Sequence, residues 1–381
     1  MSIQLRQYKH PILSETMIGL VANVLRSSLL SDFRGSPEGH LGGKNVQALE
    51  YAFCQYFGVK YAIAMNSATA CLHSALVACG VGPGDEVIVS PYSFSSSASC
   101  VLMVGATPVF ADIEPRMFCL APQSISRAIT PRTRVILPVH LCGHPAEMDT
   151  IMGIAKKHNL KVIEDAAQAI GAKFQGEYVG TIGDCGVFSF NQSKHISTGE
   201  GGMLITNDDY IARVARAMRN HGEVSDPELG IVGYNYRLCE MEAVLALEQF
   251  RELDRMTDYR IDLANYITEQ LSRIDGLIPP VVRPACQHVY YTYPLRLNGL
   301  DKKDFCQRLA DKGIYWGTYV EPLYLLPVYQ KWNYGLGLCP TAERMYQDEL
   351  VVTDIFRYPM TMADCDMVIK QIKEVVNELQ R

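Results

Sequence analysis

The chain has 381 residues, 48% of them hydrophobic and 20% charged, with a net charge of -6. This is an ordinary globular composition, long enough for one large domain plus a smaller one, and its overall field does nothing to favour nucleic acid or an anionic membrane. The 12 cysteines form neither a CxxC pair nor a Cys/His cluster at zinc spacing, which leaves them as thiols in a reducing cytoplasm.

The N-terminus, MSIQLRQYKHPILSETM, has no apolar core of the kind a signal peptide needs. No apolar run approaches the roughly 20 residues that span a bilayer, so the expectation is a cytoplasmic protein without a membrane partner. From residue 61 the pattern becomes strand, helix, strand, helix. YAIAMN (61–66) is a short apolar run, and SATACLHSALVACG (67–80) reads as a helix closed by Gly80. GPGDEVIVSP (82–91) is a turn feeding a buried strand, SSASCVLMVGA a helix, and TPVFADI (107–113) a strand. TRVILPVH (133–140) is the next strand, followed by a helix from Ala146 to His158 and the strand LKVIEDA (160–166). CGVFSF (185–190) and GGMLITND (201–208) are two more strands. A helix-rich stretch covers 209–275, HVYYTYPLRL (288–297) alternates like a strand, and helices are expected over 301–313 and 363–380.

This order predicts an α/β fold: a mainly parallel, helix-covered sheet in a large domain (1–245), then a smaller α+β C-terminal domain (246–381). The placement of the first few dozen residues is left open. In such sheets ligands bind beyond the carboxyl ends of the strands. The polar residues there are Ser67–Thr69, Ser93 and Phe94, His140, Glu164 and Asp165, Gln168, Ser189 and Lys194.

Each of these has a structural reading beside a chemical one. Asp165 ends an apolar strand; it either caps a helix over the following AAQA or pairs with a buried cation. Ser67, Ala68 and Thr69 open a helix, so they either cap it or aim amides and a hydroxyl at an anion, to which Ser189 could add a second hydroxyl. Phe94 is either core or a stacking platform. Lys194 lies in SFNQSKHISTGEGG, a loop of small and polar residues where a merely solvated lysine needs no such setting. A lysine, an anion site, an aromatic platform and a buried carboxylate together fit pyridoxal phosphate, with Lys194 as the Schiff-base nucleophile. No GxGxxG follows a strand and no Walker A sequence is present, which disfavours a dinucleotide or P-loop enzyme.

The stretches NSATACLHSAL, GPGDEVIVSPYSF, GATPVFADI, PVHLCGHPAEMD, VIEDAAQAIGA, FSFNQSKHISTGEGG, NHG and GYNYRLCEMEA occur in this order over roughly residues 40–250. With them the chain resembles the DegT/DnrJ/EryC1/StrS family of pyridoxal-phosphate-dependent sugar aminotransferases, of fold type I. GIYWGTYVEPLYLLPVY, CPTAERM and RYPMT extend the likeness more loosely through the tail. The resemblance implies that Asp165 partners the pyridine nitrogen. Gln168, three residues on along a helical face, would bond the phenolic oxygen, and Phe94 would stack on the ring. The Ala68 and Thr69 amides and the Thr69 and Ser189 hydroxyls would hold the phosphate. Asn235, in GYNYR, would reach the neighbouring subunit's phosphate, which implies a homodimer with shared sites; by itself it reads as a turn residue, and Arg237 as a surface ion pair.

The implied reaction is ping-pong transamination from glutamate or glutamine to a keto-sugar, most simply one linked to a nucleotide. A keto-cyclitol acceptor, a dehydratase and a non-catalytic regulator are the alternatives; dehydratase relatives carry histidine where Lys194 stands. Two departures matter. Ala68 replaces a glycine common in the family, which is harmless if φ stays negative. Tyr319–Tyr324 (YVEPLY) lacks the Pro and His of a family loop that resembles a substrate-facing segment.

Overall fold

The computed structural model describes residues 13–33, 39–223 and 229–381. The stretch MSIQLRQYKHPI, part of the segment read above for a signal peptide, lies outside the described residues. In chain order the first half contains α1 (Glu15–Ser27), α2 (Lys44–Phe57), β1 (Tyr61–Met65), α3 (Ala68–Ala78), β2 (Glu86–Val89), α4 (Ser96–Met103), β3 (Thr107–Phe110) and α5 (Pro122–Ala128). There follow β4 (Thr133–Leu137), α6 (Met148–His158), β5 (Lys161–Asp165), β6 (Lys173–Phe174), β7 (Glu177–Tyr178), β8 (Cys185–Ser189), β9 (Gly202–Thr206) and α7 (Asp209–Arg219). Then come α8 (Glu240–Arg251), α9 (Leu253–Leu271), β10 (Leu277–Ile278), β11 (Cys286–Gln287), β12 (Tyr293–Leu297) and α10 (Lys302–Asp311). The chain closes with β13 (Gly317–Thr318), α11 (Pro340–Arg344), β14 (Leu350–Thr353) and α12 (Met362–Leu379).

The short apolar runs became a seven-stranded sheet in the order β1-β9-β8-β5-β4-β2-β3. Six strands run in one direction and β9 alone runs against them. Strands β2, β8 and β9 are buried along their whole length, as strands covered on both faces must be. The fold is therefore the α/β class expected. Because β8 and β9 are antiparallel neighbours, the loop between them needs no crossover helix and stays at the carboxyl edge of the sheet. That loop carries Lys194.

Buried apolar side chains form two clusters. The larger one surrounds the seven-stranded sheet and takes in Leu323, Tyr324, Tyr329 and Met345 from the C-terminal part. The smaller one joins the later turns of α9 to α10, α12 and the four-stranded sheet β10-β12-β14-β13. A third sheet, β11-β6-β7, ties residues 286–287 back to the first half.

Three expectations are corrected here. The strand expected over 288–297 begins only at Tyr293; residues 288–292 leave the sheet to bond the 141–143 loop. The stretch 209–275 is interrupted, since among the described residues 220–239 contain no helix. AAQA after Asp165 forms successive turns rather than a helix, because the chain has to reverse at once into the β6–β7 hairpin. Among the described residues no helix is long and apolar enough to cross a membrane.

One buried ion pair locks β1 to the helices around it. Arg219, at the end of α7 and 0% exposed, donates to Glu50 of α2, to the Ala64 carbonyl at 3.1 Å and to the His40 carbonyl at 3.0 Å. Glu50 in turn accepts the Ala64 amide at 2.9 Å. Removing one partner strands the other charge in the core, which typically costs about 3–5 kcal/mol. Arg219→Ala is expected to lower the unfolding free energy by about that much in a urea titration. The double variant Arg219→Met/Glu50→Leu should recover part of the loss; a double variant as unstable as the single one would show that the stranded charge is not the cause.

Candidate active site

Consecutive residues of a strand point to opposite faces of the sheet. At the end of β5 this places two buried carboxylates, Glu164 and Asp165, back to back. They are treated differently. Glu164 accepts the amides of Gly180, Ile182 and Gly183 at 2.8, 2.7 and 2.6 Å and meets His140 Nε2 at 2.9 Å. His140 Nδ1 accepts the Ala146 amide at 3.0 Å, so the ring proton sits on Nε2 and is donated to Glu164. With four donors, Glu164 is saturated.

Asp165, 3% exposed, has only two. Ser97 Oγ donates to Oδ2 at 2.7 Å and the Ala167 amide to Oδ1 at 3.1 Å. Ser97 spends its proton on Asp165, so it accepts from Ser93, 2.8 Å away. Burial pushes the Asp165 carboxyl above its ordinary range; the Ser97 and Ala167 bonds and the positive charge of Lys194 pull the other way. A carboxylate has about four acceptor sites. Asp165 therefore keeps spare acceptor capacity in a nearly buried place.

The cradle expected to face an anion is a helix start that follows β1, three strands away from β5. Ser67 Oγ caps α3 by accepting the Ala70 amide at 3.1 Å, so the capping role read for Ser67 is real. The amides of Ala68 and Thr69, at the first positions of the helix, have no intrahelical partner. Ala68 is helical, with φ on the negative side. Gly202 makes the cradle possible. It pairs with Met65 on one side and Ser189 on the other. A Cβ on it would lie 2.5 Å from the Ala68 amide nitrogen, so only glycine lets β9 pass the helix terminus. Ser189, nearly buried, brings its hydroxyl to the same edge and accepts the Asn191 amide at 3.3 Å.

Lys194 is half-buried, and its Nζ stands 4.1 Å from the centroid of the Tyr291 ring. Gln168 is buried, with its Oε1 taken by the Cys142 amide at 2.8 Å and its Nε2 donating to the Tyr319 hydroxyl at 2.9 Å. It reaches this place from a turn, not from the helical face expected. Phe94 is 63% exposed, which rules out the core reading and leaves its ring available at the rim. Asn235 is exposed and bonds through its carbonyl, which accepts from Asn66 Nδ2 at 3.2 Å. Arg237 is not a surface ion pair; it donates to Asn220 Oδ1 at 3.0 Å. The YVEPLY segment does not turn its last residue toward substrate. Tyr324 is fully buried against Phe110, and its hydroxyl bonds Glu343.

The structure thus brings Asp165, Gln168 and Lys194 to one edge of the sheet with Ala68, Thr69 and Ser189. It adds Ser97 and Tyr291, which the sequence did not single out, and Tyr319, which was named only as the start of the YVEPLY segment. Ser97 hides in a run of serines; the two tyrosines arrive from far along the chain.

These residues fit pyridoxal phosphate. Asp165 is a buried carboxylate with room for one more donor and makes no ion pair among the described residues, which suits a protonated ring nitrogen. The unpaired amides opening α3 and the Ser189 hydroxyl suit a phosphate. Among the described residues no group of three or more side chains could hold a metal.

Comparison with known proteins agrees. The profile of the DegT/DnrJ/EryC1/StrS aminotransferase family matches residues 29–373. The chain is 41% identical over 342 residues to GDP-perosamine synthase of Caulobacter vibrioides, covering 88% of this chain and 91% of that protein. It is 38% identical over 348 residues to UDP-N-acetyl-3-dehydro-alpha-D-glucosamine 3-aminotransferase of Acidithiobacillus ferrooxidans, covering 90% and 89%. Among solved structures, the aminotransferase from Psychrobacter cryohalolentis gives a TM-score of 0.89 at 30% identity over 97% of this chain and 99% of that one.

The raised Asp165 carboxyl makes a prediction for the cofactor-free protein. The folded state holds this proton more tightly than the unfolded chain, whose value is about 4. The stability it contributes is complete below that value and is lost as pH rises through the folded one. Asp165→Asn removes that loss. Thermal melts should show the variant gaining on the parent from about pH 4 toward 7. A variant less stable than the parent at every pH would reduce Asp165 to a turn-forming residue.

Proposed function

The chain belongs to the DegT/DnrJ/EryC1/StrS aminotransferase family and is an aminotransferase, and we propose that it carries nitrogen from glutamate, or glutamine, to a keto-sugar linked to a nucleotide. The relatives named for GDP- and UDP-linked sugars support the acceptor class. The observation that carries the catalytic reading is that Lys194 and Asp165 lie at one sheet edge, near enough for the lysine's charge to act on the carboxyl. A nucleophilic amine sits there in the same field as a buried, under-bonded carboxylate.

Pyridoxal phosphate, on which the family's chemistry depends, supplies an electrophilic carbon and a ring that accepts electron density from the substrate. The rest falls to the chain. Asp165 holds a proton on the ring nitrogen and gives that site its charge. Ser97 orients the carboxylate through Oδ2, while each oxygen keeps a further acceptor position. Gln168 fixes the ring's phenolic oxygen, and the Ala68 and Thr69 amides with the Thr69 and Ser189 hydroxyls hold the phosphate. Phe94 covers the ring from the rim. Lys194 would take the proton of the donor's α-carbon onto its Nζ and give it up again as the amino group is transferred; lysine suits this because its amine is readily tuned by its surroundings.

We further propose a homodimer in which Asn235 serves the partner's phosphate, as an isologous contact allows. Supporting this, Asn235 is exposed, the Asn66 side chain bonds only its backbone carbonyl, and nearby Val232 is 80% exposed.

Substrate class is tested by offering keto-sugar nucleotides and free keto-cyclitols with 15N-glutamate and following the label by mass spectrometry; label confined to a cyclitol would overturn the acceptor assignment. Lys194→Ala should abolish transfer while keeping the parental melting temperature, and borohydride should no longer fix the cofactor to the chain. Full turnover in that variant sinks the catalytic reading. Mixed with an Asn235→Ala variant, it should regain activity at no more than about half of the sites in each heterodimer. No regain, with subunit exchange shown independently and the Asn235 variant inactive alone, removes the shared site.

A further inference from the structure

We infer that Tyr291 is a positioning residue for the Lys194 amine, acting through the face of its ring; the inference rests on the reading of Lys194 given above. The Nζ lies 4.1 Å from the ring centroid, well inside the range of a cation–π contact. Aromatic neighbours of a lysine are common, so what distinguishes this one is how firmly it is held.

The phenol is fixed first. Ser193 Oγ donates to Asn191 Oδ1 at 3.1 Å, and the Ser193 amide donates to the same oxygen at 3.2 Å. With its one proton spent, Ser193 accepts from the Tyr291 hydroxyl, 2.9 Å away. Ser193 precedes Lys194, so the loop that carries the lysine also grips the ring beside it.

The backbone is fixed next. Arg260 donates to the carbonyls of Tyr290 and Tyr291, both at 3.1 Å. His195, the residue after Lys194, bonds the Val289 carbonyl at 3.0 Å. The amides of Val289 and Thr292 donate to the carbonyls of Gly143 and Cys142 at 3.1 and 3.4 Å. Gly143 has φ +95°, and a Cβ there would stand 2.9 Å from the Tyr291 amide nitrogen. The segment thus depends on a glycine to come this close. This also explains why residues 288–292 leave the strand that their sequence predicts.

A lysine amine on four rotatable bonds is a poor base until it is aimed. The ring face narrows the directions open to Nζ. It also attracts the charged amine and is indifferent to the neutral one. Tyr291 therefore steadies Lys194 at the moment the amine has taken the substrate's proton, without bonding so strongly that the proton cannot be returned.

The test compares Tyr291→Leu and Tyr291→Met, which delete the π face, with Tyr291→Phe, which keeps it. In the holoenzyme, the Leu and Met variants should lose roughly 2- to 30-fold in kcat, with KM for the amino donor little changed. Phe should stay close to the parent. In the cofactor-free protein, acetylation of Lys194 by an amine reagent, read by peptide mass spectrometry, should run faster in Leu and Met than in Phe or the parent. Parental kcat and parental labelling in Leu or Met overturn the inference, and so does a Phe variant as impaired as Leu, which moves the effect to the hydroxyl. If only the reading of Lys194 is wrong, the labelling differences persist while Lys194→Ala remains active, so the two failures are told apart.

Discussion

A carboxylate at the end of a buried strand must be solvated by the protein or lose its charge. Much of the architecture around Asp165 answers to that constraint. Helix α4 is placed so that Ser97 reaches Oδ2, and Ser93, just past β2, completes the line of hydroxyls behind it. Glu164, the adjacent residue, faces the same problem on the other side of the sheet and is met by three loop amides and His140. The fully bonded member of the pair braces the 180–183 loop, and the under-bonded member is left with capacity for a ligand. One strand end therefore carries a saturated carboxylate on one face and an under-bonded one on the other.

What could be read from the sequence was what lies close to a strand end. Asp165, Ser189 and the Ser67–Thr69 helix start each follow an apolar run directly, so their position at the carboxyl edge followed from the fold class. Lys194 was legible because the loop around it is small, polar and closed by glycines, and because the strands on either side are short enough to make it a simple return. Gly202 fell in an expected strand, but its work there, letting β9 pass the helix start, depends on a register no local pattern contains.

What could not be read came from two sources. Local preference was overridden at AAQAIGA, where alanines favour a helix and the following hairpin allows only turns. It was overridden again at 288–292, where alternation predicts a strand and bonds to 141–143 draw the chain away. Distance hid the rest. Ser97 is one serine among five in SFSSSAS, and nothing local says which of them faces Asp165. Tyr291 and Tyr319 reach the site from the C-terminal part, so their roles exist only once both halves are folded together. Phe94 had two readings, core and stacking platform; hydrophobicity alone favours the first, while its place past the end of β2 puts it on the rim and leaves the second.

The reversed strand has a consequence for how the chain is assembled. β1 is the first strand to be synthesised, yet its sheet partner is β9, with Tyr61 opposite Thr206 and Met65 opposite Gly202. Apart from a single bridge to Arg237, which comes later still, its backbone has no strand to join until residues 202–206 exist. The strands from β2 to β5 can pair among themselves as each βα unit is completed. β1 must wait, with α3 attached, through the entire middle of the chain, and closing so long a loop carries an entropic charge that local units escape. The helix start at Ala68 thus follows a strand that leaves the ribosome before most of the sheet and finds its strand partner only after residue 202 is made.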